Sequence, residues 1–249
     1  MSGSNVYSRR WFDTFLGRID PAIVEREVAF LRRHLPPPDA HVLDLCCGPG
    51  RHATPLTGAG YRVIGIDLDA SSLGTAHAAT RSASFVRADM RRIPLADESI
   101  GAVICMWQSF GHFEARENTS VLAEMARVVR PDGTVILDLY QREFYARNEG
   151  ERDIVRDGAR IHERRVMSGD RLRVRLAYEP GGFAEEFEWQ LYTPAEIAAL
   201  AAPAGLRSVG SFADFDDDVA SSPERARMQI VLRKIGSDPA LISPTGRHP

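Results

Sequence analysis

The chain has 249 residues, which suits one α/β domain with an insertion. Its hydrophobic fraction of 44% is ordinary for a globular protein, and its net charge of −3 lacks the basic surplus of a nucleic-acid surface. Three cysteines, two of them adjacent, make neither a disulfide framework nor a CxxC zinc pair, and no apolar run nears the ~18 residues of a membrane span. Without a secretory h-region at the N-terminus, these features predict a reduced, cytoplasmic setting with no membrane and no nucleic-acid partner.

Residues 1–38 read as an N-terminal helical cap. Asp20 is placed as N-cap and Pro21 as first helical residue, with Ile23, Val24, Val28, Phe30 and Leu31 on an apolar side. Before it stand Tyr7, Trp11, Phe12 and Phe15, either core beneath the cap or a lid that excludes water from a site.

Val42 to His52 is the most informative run: a buried strand ends at Asp44, small residues follow (Cys46, Cys47, Gly48, Gly50), and a helix begins. Such a turn lets a ligand lie on bare backbone at the carboxyl edge of a parallel sheet. The run contains no phosphate-cradling G-x-x-x-x-G-K-[ST], and Asp44 would repel a pyrophosphate. An acid there suits a cationic or amino ligand end. His52 is read as a helix-start residue. Tyr61–Asp67 is a second strand ending in an acid some twenty residues on, the position that accepts ribose hydroxyls. Ser84–Met90 is a third strand leading to Asp89, and Ile100–Met106 a fourth. A helix over Leu122–Val129, a turn at Arg130–Gly133 and a fifth strand, Thr134–Leu139, follow.

Residues 151–192 alternate apolar and charged positions between turn signals at Asp157–Gly158, Ser168–Asp170 and Pro180–Gly182, which predicts an antiparallel meander. A helix from Thr193 to Ala202 opens on a capping box with Glu196. Gly205–Phe212 and Ala226–Lys234 close the sheet as a hairpin. Asp214–Asp218 matches no calcium loop and reads as solvated, with no metal expected. Residues 236–249 are a polar tail.

The run Asp44–Gly50 resembles the D-x-G-x-G-x-G loop of class I S-adenosylmethionine-dependent methyltransferases, with Cys46 in place of the first glycine. The second acid Asp67, the third acid Asp89 and the helix–R-P-x-G–strand passage resemble the same family, so that the likeness runs from about residue 41 to 139. It implies a Rossmann-like, doubly wound, seven-stranded, mostly parallel sheet with an antiparallel last strand. The N-terminal cap and the meander flank that sheet. The implied organisation is a cap or lid over 1–38, a cofactor-binding core over 39–150, a meander over the active site at 151–192, the rest of the core at 193–235, and a flexible tail. The implied cofactor is S-adenosylmethionine. Asp44, Cys46, Gly48 and Gly50 would cradle its methionine part, and Asp67 would take the ribose hydroxyls. Leu68 would pack on the adenine and Asp89 accept its amine, with Met90 and Met106 also in contact.

Methyl transfer needs a nucleophile held in line with the leaving sulfur, at the carboxyl ends of the fourth and fifth strands. There Trp107–Phe113 is dense in aromatic and hydrogen-bonding groups, and its S-F-G-H run resembles small-molecule enzymes such as amino-sugar N-methyltransferases. His112, as base or substrate orienter, and Tyr140 are the catalytic candidates. Trp11, Trp107, Phe110, Phe113, Tyr140 and Arg142 are the candidate substrate wall. The expected activity is methylation of oxygen or nitrogen on a small, partly apolar metabolite by a monomer or homodimer. A protein or RNA methyltransferase, or a cofactor-binding protein without methyl transfer, are the alternatives.

Overall fold

Short apolar strands alternate with helices from His41 to Tyr140, and the structure, a computed structural model that describes residues 5, 7–17, 19–156 and 158–236, winds them into a Rossmann-like sheet. The strands are β1 (His41–Leu45), β2 (Arg62–Asp67), β3 (Ser84–Arg87), β4 (Ile100–Cys105) and β5 (Val129–Tyr140). Helices α1 (Arg9–Phe15) and α2 (Pro21–His34) precede them. Helices α3 (Ala53–Gly58), α4 (Ala70–Ala79) and α5 (Ala115–Val128) make the crossovers. Helix α6 (Arg142–Arg147) leads into a second, antiparallel sheet of β6 (Gly150–Arg156), β7 (Ala159–Ser168), β8 (Arg171–Glu179) and β9 (Phe183–Gln190). Helix α7 (Pro194–Ala201) returns to the main sheet at β10 (Leu206–Ala213), β11 (Asp216–Ala220) and β12 (Arg227–Lys234).

The main sheet has the order β11-β10-β12-β5-β4-β1-β2-β3, with β10, β11 and β12 antiparallel. It therefore holds eight strands where seven were expected. The extra strand comes from the acidic stretch read as a solvated loop. Asp214 and Phe215 both take positive φ, 56° and 59°, and make a two-residue hairpin turn, the geometry whose twist suits paired strands. Phe215 buries its ring against Phe30, and Asp217 accepts from Arg33 and from His34 at 2.7 Å. Packing and ion pairing thus override the polar composition. The turn expected at Arg130–Gly133 follows α5, and only its inclusion within β5 differs. Ile100 pairs with Val129, and the register then jumps to Ala102 with Thr134. Helix α5 also starts earlier than its apolar pattern suggested, at Ala115. The polar tail from residue 237 lies outside the described residues.

Helix α2 begins as its sequence dictates: the Asp20 carboxylate accepts the Ala22 N–H at 2.9 Å, and Pro21 takes the first position, where it loses no bond. Helix α7 carries the full Thr193–Glu196 capping box. One core layer, around Leu43, Val103, Leu122, Val135 and Ile230, lies between the sheet and α5 and α7. The other, around Phe30, Leu31, Val42, Leu56 and Ile104, lies under α2 and α3. Every residue of β4 is buried, as a central strand covered on both faces must be. A third cluster, around Ile161, Leu172, Tyr178, Phe187 and Trp189, sits on one face of the second sheet and takes in Tyr7, Trp11 and Tyr140. Among the described residues no helix is long and apolar enough to cross a membrane.

Candidate active site

Parallel pairing of β1 with β2 and β4 sets Asp44 beside Gly65 on one side and Ile104 on the other. The carboxyl ends of these strands gather one corner. Asp44 is 1% exposed there, and its Oδ2 has no hydrogen-bond partner among the described residues. Burial raises its carboxyl above the ordinary value, against the pull of His52 and Arg51. The chain then turns through Cys46 at φ 62°, Gly48 at 52° and Gly50 at 79°. Cys46 holds a left-handed conformation that glycine adopts freely, which explains why the resembling loops place glycine there. A Cβ added at Gly48 would meet nothing within 4 Å, so this backbone faces open space. The Cys46 thiol rests 3.6 Å from the Met90 sulfur, beside Cys105, and stays protonated.

Asp67, at the end of β2, accepts the Gly48 N–H at 2.8 Å and the Asp69 N–H at 2.9 Å, so it ties the first turn to the second strand. Leu68 is 54% exposed beside it. Asp89 is engaged by Arg91 at 2.6 Å, whose hydrogen bond holds the carboxyl below its ordinary value. Arg91 also reaches Glu117 and covers the Phe113 ring at 4.5 Å. Met90 and Met106 are both buried in the two core layers at this corner.

Several residues that no motif marked complete the corner. Glu27 of α2 is 1% exposed and meets His52 Nε2 at 2.9 Å, the Trp107 indole N–H at 2.6 Å and Arg51 at 3.3 Å. Asp138 of β5 is fully buried, paired with Arg227, and accepts from Gln229 and from the Trp107 N–H. An acid on a helix face or in a strand interior carries no sequence signal of its own. The only hint was its presence at an apolar position, where an unpaired carboxylate is costly.

This network fixes the loop after β4, and it corrects one expectation there. Trp107 is held by the network: the Arg51 guanidinium lies 4.1 Å and that of Arg227 5.1 Å from its ring, and its N–H serves Glu27. Trp107 and Gln108 sit at φ 55° and 57°, a conformation bulky residues rarely hold, fixed because Asp138 accepts from both backbone N–H groups. Phe110 is 0% exposed and packs on Tyr192 in the core. The turn at Gly111 sends it there. A Cβ on Gly111 would lie 2.3 Å from the Gln190 carbonyl, and the Gly111 carbonyl accepts the Gln190 N–H at 2.8 Å. Glycine thus lets β9 dock against this loop. Arg142 lies apart from the cofactor corner. Its guanidinium pairs with Glu196 at 2.7 Å and lines a groove with Asp170, Gln190 and Tyr192, a groove that shares no residue with the cofactor corner.

His112, Tyr140 and Trp11 do come together, in an aromatic cluster between the main sheet and the second one. Tyr7 stacks on Phe187 at 4.7 Å and touches Trp11 at 4.4 Å, with His112 6.2 Å away. Tyr140 packs on Tyr145 at 4.8 Å and Trp189 at 5.8 Å. Asn5 joins this cluster. Its amide pairs with both backbone groups of Glu188, which assigns Nδ2 as the donor, and that Nδ2 also donates to His112 Nδ1 at 2.9 Å. The neutral imidazole therefore carries its proton on Nε2. Burial lowers its pKa to about 4, and burial raises the Tyr140 phenol above its ordinary value.

Residues 42–133 match the family described as a methyltransferase domain. The dTDP-3-amino-3,6-dideoxy-alpha-D-glucopyranose N,N-dimethyltransferase of Streptomyces fradiae is 35% identical over 111 residues, 44% of this chain and 43% of that protein. The chain thus spans about two fifths of the length of the curated relatives it matches. Among solved structures, an S-adenosylmethionine-dependent methyltransferase from Clostridium acetobutylicum superposes with a TM-score of 0.75 at 14% identity, over 91% of this chain and 97% of that one. The sugar N-methyltransferase KedS8 of a Streptoalloteichus species reaches 0.70 at 19% identity, over 94% and 97%. These structural likenesses show the shared Rossmann-like methyltransferase fold.

Proposed function

We propose that this chain, which carries a methyltransferase domain over residues 42–133, transfers the methyl group of S-adenosylmethionine to a nitrogen of a small, partly apolar metabolite. The observation that carries the reading is Asp44 Oδ2, a buried carboxylate oxygen without a partner at the carboxyl edge of β1. An ammonium group satisfies such an oxygen, and the cofactor's amino-acid end carries one. Asp67 would hold the ribose hydroxyls, Leu68 the adenine face, and Asp89 the adenine amine while it keeps Arg91. The bare backbone at Gly48 leaves room for the methionine part. When bound, the cofactor supplies the electrophilic methyl and the leaving sulfur.

The side chains of this cluster favour nitrogen over oxygen. A hydroxyl acceptor needs a base to take its proton. His112 spends the Nδ1 lone pair on Asn5 and is a weak base, while Tyr140 stays protonated. These groups can line and orient an acceptor. They suit a neutral amine that sheds its proton after transfer. The relative from Streptomyces fradiae is named for an amino-sugar acceptor, which agrees with this reading. Three free cysteines suit a reducing compartment.

Calorimetry should show binding of S-adenosylhomocysteine, and labelled S-adenosylmethionine should methylate nucleotide-linked amino sugars but not their hydroxyl isosteres. Absence of cofactor binding overturns the reading. Turnover confined to the hydroxyl isosteres overturns the choice of nitrogen.

A further inference from the structure

The second sheet turns one face toward Tyr140, and two side chains on that face hold donors that bond nothing. Register sets Arg165 opposite Val174 and Val174 opposite Phe187, and Trp189 lies two residues further along the same face. Arg165 Nε and Trp189 Nε1 are both buried and without a partner among the described residues. Arg165 gives Nη2 to Glu163 at 2.8 Å, but Glu163 also takes Arg152, so one carboxylate serves two guanidiniums. These three groups together keep one positive charge.

The main sheet brings a second cation to the same place. The rings of Tyr140 and Tyr145 are 4.8 Å apart. The Arg165 guanidinium lies 5.2 Å from the Tyr145 ring and that of Arg227 5.9 Å from the Tyr140 ring, so two cations bracket the tyrosine pair. Trp189 meets Tyr140 from the side of the second sheet, at 5.8 Å. Arg227 gives Nε and Nη2 to Asp138, which leaves Nη1 outside that pair. A ligand can reach this spot, because the Arg165 and Arg227 side chains are 13% and 26% exposed. The unspent groups of these side chains are N–H donors, so an occupant must offer oxygens that accept, and the charge selects an anion. A buried donor left unmade is costly until such a group arrives. We propose that Arg165, Arg227 and Trp189 form an oxyanion subsite beside Tyr140, and that the methyl acceptor carries a phosphate or carboxylate group besides its amine. The inference rests on the reading above, in which Tyr140 borders the acceptor.

The test is an NMR titration of the full chain, saturated with S-adenosylhomocysteine, against inorganic phosphate and separately against acetate. The Trp189 Nε1–H and Arg165 Nε–H resonances should shift together with one Kd. Arg165→Met should raise that Kd about 10-fold or more, the range for a charge-assisted hydrogen bond, and Trp189→Phe should raise it about 3- to 10-fold. Should Arg165→Met fail to fold, Arg165→Lys, which keeps a cation for Glu163, should still raise it about 3-fold or more. Arg164→Met, on the opposite face of the sheet, should leave it within about 2-fold. A preference for phosphate assigns a phosphate ester to the acceptor and a preference for acetate a carboxylate, and both support the subsite. No shift at either donor with either anion, or an unchanged Kd in the Arg165 variants, overturns the inference while binding of S-adenosylhomocysteine keeps the cofactor reading. Protein that does not bind S-adenosylhomocysteine removes the cofactor reading, and the assignment of the anion to a methyl acceptor falls with it.

Discussion

Glu27 and His52 meet at 2.9 Å, each almost wholly buried, one on the N-terminal helix α2 and the other at the start of α3 behind the ligand turn. The pair bolts the cap to the turn. Burial pushes the Glu27 carboxyl up, but the His52 hydrogen bond and the Arg51 charge outweigh it and hold the carboxyl below its ordinary value. Its stability contribution is therefore present at neutral pH and lost as pH falls through the lowered value.

Glu27→Ala strands Arg51, His52 and the Trp107 N–H at once. Breaking a buried charged pair costs about 3–5 kcal/mol. Urea denaturation should show a loss of that order, and Glu27→Gln, which keeps an acceptor for Trp107, a smaller one.

Asp138 and Arg227 form a second buried pair, with Asp138 0% exposed. Asp138→Ala and Arg227→Met should each destabilise by about 3 kcal/mol or more, while the double variant should lose much less than their sum. Denaturant midpoints of the three variants measure this, and strict additivity would contradict a coupled pair.

Asp67 serves two masters, the Gly48 N–H in the turn and the proposed ribose. Asp67→Ala should weaken S-adenosylhomocysteine by at least ~10-fold, about 1.4 kcal/mol, in calorimetry. Full affinity in this variant would remove the ribose assignment.

His112 has a pH signature. Its pKa falls to about 4 in the folded chain, below the unfolded value near 6.5. The unfolded state therefore binds more protons between these values. The contribution is fully present above about pH 6.5 and drains away as pH drops toward 4, on the order of 3 kcal/mol. His112→Gln should flatten that part of the stability curve. Asn5→Ala should raise the His112 pKa measured by NMR, because it frees the Nδ1 lone pair that the Asn5 amide occupies.

Much of the fold was legible in residue order. Each run ending in an acid, Val42–Asp44, Tyr61–Asp67 and Ser84–Asp89, became a strand or a strand edge of the parallel sheet. Short-range physics sufficed there: apolar runs long enough for a buried strand, a turn of small residues, and a capped helix. The eighth strand was not legible, because Phe215 is buried against residues such as Phe30, far off in the chain.

Sequence alone determined the doubly wound core and the acids at its carboxyl edge, since strand length, turn chemistry and acid spacing are local quantities. Only the tertiary structure decided which side chains face which chemistry. It drew Trp107 into the Glu27, Arg51 and Arg227 network, sent Phe110 into the core, and took up Arg142 with Glu196. It also set Asn5 against His112, 107 positions away. Buried charges and hydrogen bonds must find partners wherever the fold supplies them, and those partners come from distant segments that no local pattern records.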